Sequence, residues 1–136
     1  MKDQRDFPAF TGCQIEDNIV HIQMKKVKKL TGEDVAQVYD CFKECGGAEG
    51  VFVLITFKGY IPMSDEAMAE AKRNPFQKNV HANAYVIQTA AFRVAIKFFM
   101  TFYKPKQPIY ICDSKAEGIA WLKQKKKERE LQFAEL

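Results

Sequence analysis

The side chains of this 136-residue chain best suited to chemistry are four cysteines, two histidines and a serine at a helix start. Cys41 and Cys45 stand four apart in Asp40-Cys-Phe-Lys-Glu-Cys45, a segment that reads as helix, and residues at that spacing share a helix face. Such a pair could act as a thiol switch or as half of a zinc site. A closed zinc site needs two further ligands, and only His21 and His81 are available, neither beside a second ligand in sequence. A reactive cysteine needs a positioned base and a lowered pKa, and a bridge between positions four apart strains regular helix. Buried free thiols that pack as small hydrophobes are the expectation. No acid–base pair, nucleophile with a base, phosphate-cradling glycine loop or metal set is evident. The chain is therefore expected to be no enzyme, with no metal and no cofactor, the Cys41/Cys45 switch being the alternative.

Charge adds little chemistry. Lysine and arginine number 21 against 17 acids, a net of +4, and only four of the basic residues are arginine, the side chain suited to bidentate phosphate recognition. Charge is segregated: Lys25, Lys26, Lys28 and Lys29 crowd one turn, residues 31–80 are net acidic, and residues 81–111 hold cations and no acid. Lysine runs of this kind read as solvated faces, so no nucleic-acid partner is expected. No apolar run reaches the ~20 residues of a membrane span, and the polar opening Met1–Asp6 has no signal-peptide core behind it. The expected address is cytoplasmic. An apolar content of 47% fits one globular domain over residues 1–136, with its core at about 10–125 and a charged helical extension over 123–136.

The elements that must position these residues follow from periodicity. Residues 13–25 alternate as a hairpin about Asp17-Asn18, with Val20, Ile22 and Met24 inward and His21 outward. Thr31 caps a helix carrying Val35, Val38, Tyr39 and Phe42, flanked by Cys45, with Cys41 nearer the stripe's edge; Gly46-Gly47 ends it. Val51–Phe57 is a continuous apolar run, as in a strand covered on both faces. Ser64 is the N-cap of a short second helix. A strand over 80–88, a helix over about 90–103 ended by Pro105, a strand over 108–112 and a last helix opened by a Ser114/Glu117 capping box complete the chain. That last helix should turn Ala116, Ile119 and Leu122 inward, with Trp121 alongside.

The helix over 90–103 is the unusual element. Phe92, Ala95, Ile96, Phe99, Phe102 and Tyr103 cluster on one face, while Val94 and Phe98 extend the apolar surface on one side and Met100 on the other. At about 100° per residue the apolar arc spans roughly 240°, whereas a helix lying on one sheet needs little more than ~100°. Val94, Phe98 and Met100, with Arg93 and Lys97 of the polar strip, are therefore the candidate interface or ligand residues. Phe92, Ala95, Phe99 and Phe102 should cover the sheet.

An order of hairpin, helix, strand, helix, strand, helix, strand, helix predicts a mixed α/β sheet of about five strands with four helices. With Ala84-Tyr-Val-Ile87, Arg93 ahead of Lys97-Phe-Phe99, Lys104-Pro-Lys-Gln-Pro108 and Trp121-Leu122, the chain resembles the STAS domain of SpoIIAA. The likeness is nearest to the SpoIIAA-like bacterial proteins grouped with STAS and SEC14 domains. It implies a regulatory or protein-interaction module with a regulatory protein partner. Its SEC14 side implies an apolar, lipid-like ligand held near helix 90–103. Classical members carry a phosphorylatable serine in an Asp-Ser-x-Gly stretch, and the matching place here reads Met63-Ser64-Asp65-Glu66. Ser64 is thus the phospho-acceptor candidate, but two acids beside it would repel a phosphate. The surplus apolar arc supports a homodimer, the two copies meeting through Val94 and Phe98.

Overall fold

The computed structural model describes residues 4–102 and 106–134. One mixed sheet runs through the molecule, its six strands ordered as they occur in sequence: β1 (Arg5–Asp6), β2 (Phe10–Glu16), β3 (Ile19–Met24), β4 (Val51–Thr56), β5 (Val80–Val86) and β6 (Ile109–Cys112). The expected count of about five is short by β1, a two-residue exposed strand with no apolar pattern, held antiparallel to β2. β2 and β3 form the antiparallel hairpin, and β3 to β6 run parallel.

Each parallel step needs a crossover helix. These are α1 (Gly32–Gly46), α2 (Asp65–Arg73) and α3 (Ala90–Phe102), with short 3₁₀ turns at Gly47–Glu49 and Pro75–Asn79. When strands advance in one direction, crossovers of one hand place all their helices on one face. α1, α2 and α3 accordingly share a face of the sheet, and α4 (Lys115–Ala134) lies across the other. Tyr103, Lys104 and Pro105, expected to close α3, lie outside the described residues, as do the side chain of Phe102 and the last two residues of the helical extension.

The two-faced apolar strand β4 sets the core. Val51 and Val53 join Phe10, Val20, Ile22 and Val80 under α1 and α2. Phe52 and Leu54 join Ile19, Ala82, Ala84 and Leu122 under α4. Local signals fix the helix ends. Thr31 and Asp34 form a capping box, and Gly47 ends α1 with φ +52°, a conformation that favours glycine. The Glu117 N–H donates to Ser114 Oγ (3.2 Å) at the start of α4.

Two packing expectations need correction. Cys41 is fully buried rather than at the stripe's edge, because α1 lies close over β2; a methyl group at Gly12 would come within 3.2 Å of its sulfur. α4 presents Gly118, Ile119 and Leu122 inward while Ala116 is exposed, so the inner face is turned from the expected one. Gly118 lets the helix approach: a Cβ there would stand 2.6 Å from Leu54. Trp121 is only half-buried, its ring 5.3 Å from that of Tyr110 with the Lys125 ammonium above it.

Candidate functional site

Between α3 and the sheet lies a cavity of about 470 Å³. Its floor is the parallel sheet: Ile22 and Met24 of β3, Ile55 of β4, Asn83 and Tyr85 of β5, and Ile109 of β6. Val35, Val38, Tyr39 and Phe42 of α1 form one wall with Met68 and Ala71 of α2. Phe92, Ala95, Ile96, Phe99 and Met100 of α3 form the other. Tyr60, 61% exposed, stands at the rim with Ile61 and Met63.

The geometry of α3 explains the space. Its first turn is fastened at several points. Arg93 Nε donates to the carbonyl of Ile87 (2.8 Å), its guanidinium pairs with Asp113, and the Phe92 N–H donates to Thr89 Oγ1 (3.3 Å). The buried Phe92 ring meets Phe57 and Tyr60 edge-on, at 4.9 and 5.5 Å between centroids. These contacts tie the helix start to the ends of β5 and β6. Beyond that turn the side chains facing the sheet border the cavity and do not close against it.

The predicted surface of α3 divides accordingly. Ala95, Phe99 and Met100 border the cavity. Val94 (68% exposed) and Phe98 (67% exposed) face outward beside exposed Lys97 and Thr101. Arg93 belongs to the anchor, where the protein itself engages its charge. The structure therefore brings only Met100 of the named candidates to the cavity.

The other chemistry-bearing residues sit elsewhere. Ser64 is nearly buried, its Oγ accepting from the Ala67 N–H (3.0 Å) while its own N–H donates to the Leu30 carbonyl (3.0 Å). Cys41 faces β2 while the Cys45 thiol donates to the Asp17 carbonyl (3.4 Å), so the two sulfurs serve different neighbours. Burial raises the pKa of both, Cys45 to about 11, which disfavours the thiolate. His21, expected to face solvent, is half-buried within 2.9 Å of Thr56 Oγ1, and desolvation with nearby Lys115 lowers its pKa to about 4. His81 is lowered too, chiefly by desolvation, with Nε2 2.7 Å from the Glu49 carbonyl. Among the described residues no His, Cys, Asp and Glu cluster could hold a metal, and no helix is long and apolar enough to cross a membrane.

Sequence reasoning missed the wall from α1 and α2 and the polar residues Asn83 and Gln107. The available signal was β5 itself, where Asn83 and Tyr85 interrupt the apolar face opposite Ala82 and Ala84. A second cavity of about 400 Å³, at the far end of α4, is bordered by charges of both signs, among them Asp17, Glu49, Lys126 and Arg129.

This architecture, a mixed sheet with four helices, matches a SpoIIAA-like fold. A crystal structure of an uncharacterised DUF3478-family protein with that fold, from Shewanella loihica PV-4, aligns with TM-score 0.59. The alignment covers 84% of this chain and 92% of that one at 17% identity. The chain belongs to the family described as a domain of unknown function, DUF7793, whose model matches residues 13–126. A comparison with curated proteins returns no match.

Proposed function

We propose that this chain is a non-enzymatic binding module that takes up a small apolar ligand in the cavity beneath α3. One observation carries the reading: about 470 Å³ of space bordered by aliphatic and aromatic side chains from the sheet and three helices. Cores otherwise pack with few voids larger than a water, whereas ligand sites are apolar, concave and of this size. A regulatory role follows if an occupant sets the position of α3, whose outer face carries Val94 and Phe98. The test is titration with N-phenyl-1-naphthylamine, a neutral apolar dye that brightens out of water. Saturable binding is expected in the wild type and not in Ala95→Phe, which fills the cavity, while cooperative unfolding is kept. A wild type that binds no dye refutes the proposal.

A second reading, pairing of two copies through that outer face, is favoured by the exposure of Val94 and Phe98. Sedimentation should then give a dimer for the wild type and a folded monomer for Phe98→Glu. Two folded monomers at high micromolar concentration would exclude pairing.

A further inference from the structure

The cavity under α3 has a polar pole, built among the described residues from neutral carboxamides. Asn83 lies on β5 in register with Ile109 of β6, and its carboxamide borders the cavity without a hydrogen-bond partner among the described residues. Gln107 and Gln77 border the same end, where Gln107 Nε2 donates to the Gln77 carbonyl (3.1 Å). No cation borders the cavity among the described residues. The one carboxylate that borders the cavity among the described residues, Asp34, is occupied in capping α1, where it accepts from the Thr31 N–H (2.9 Å).

This lining discriminates between ligand heads. A carboxylate or phosphate taken out of water needs a cation to balance it, and none borders the cavity among the described residues. A hydroxyl, amide or ester needs only one or two neutral hydrogen bonds, and a carboxamide can donate and accept. Resting on the cavity being a ligand site, we infer that the ligand is an uncharged amphiphile, its apolar body between α3 and the sheet and its single polar group against Asn83.

The experiment is displacement of bound N-phenyl-1-naphthylamine from the full chain at pH 8, by decanol and by decanoate. A neutral–neutral hydrogen bond is modest in net terms while an unpaired buried charge is costly, so decanol should displace the dye at about tenfold lower concentration than decanoate. Asn83→Leu should weaken decanol several-fold relative to the dye, with each affinity measured on the variant itself. Decanoate displacing as well as decanol overturns the inference without touching the cavity reading, and this comparison needs only the wild type. Decanol unaffected by Asn83→Leu also overturns it. Failure of the dye to bind the wild type would instead defeat the cavity reading, and this inference with it.

Discussion

The hydroxyl of Ser64 is committed. It caps α2 from a nearly buried position, so presenting it to another protein requires opening the first turn of that helix. Ser64→Ala should cost about 1 kcal/mol, as loss of an N-cap does, measured as a lower urea midpoint with an unchanged slope. A second residue-scale consequence concerns pH. The imidazole of His21 titrates near 6.5 in an unfolded chain and at about 4 in the folded one. Between those values the unfolded chain holds a proton that the folded chain does not. Stability is therefore full above about pH 6.5, declines as pH falls toward 4, and levels off below. The melting temperature should fall between pH 7 and pH 4.5, and less steeply in His21→Gln; the shift of His81 acts in the same direction, so some slope should persist. An unaltered pH profile in His21→Gln would contradict this. Thr31 and Ser64 were legible in sequence because a cap is a contact three residues long. His21 was not, since its partner Thr56 lies on the neighbouring strand and Lys115 on a helix roughly a hundred positions away.

At the scale of elements, α4 separates two neighbours that periodicity alone places together. Leu122 is fully buried against Leu54, Ala84 and Cys112, whereas Trp121 lies half-exposed on Tyr110. Leu122→Ala should cost about 2–5 kcal/mol, the range for truncating a buried leucine. Trp121→Ala should cost distinctly less, despite the larger side chain, and paired denaturant melts decide the order. A more damaging Trp121→Ala would mean that the ring is held tighter than its exposure indicates. The continuous apolar run of β4 announced a strand with two covered faces, and the wide apolar arc of α3 announced a helix with two apolar sides. The register of α4 went astray because Gly118 carries no hydropathy signal, yet its missing side chain is what lets the helix approach.

For the molecule as a whole, the order of elements was sufficient to reach a mixed α/β sheet, because right-handed crossovers leave few other arrangements, while the SpoIIAA-like fold was reached through the resemblance carried by residues such as Arg93 and Trp121-Leu122. The cavity was beyond reach of the same reasoning. Periodicity tells which way Ala95, Phe99 and Met100 point but not how far away the opposing layer stands, and that distance is set by the anchoring of α3 through Phe92 and Arg93. Its existence also has a mechanical consequence. Unfilled or loosely filled volume belongs only to the folded chain, so unfolding makes the system smaller, and hydrostatic pressure drives a protein toward its smaller state. The protein should therefore unfold at lower pressure than its Ala95→Phe variant, and decanol should raise the wild-type midpoint, both read from tryptophan fluorescence in a pressure cell. Equal midpoints in all three samples would show that the space beneath α3 closes in solution. The spacing that leaves this room also makes the folded chain the bulkier of its two states, the one that pressure disfavours.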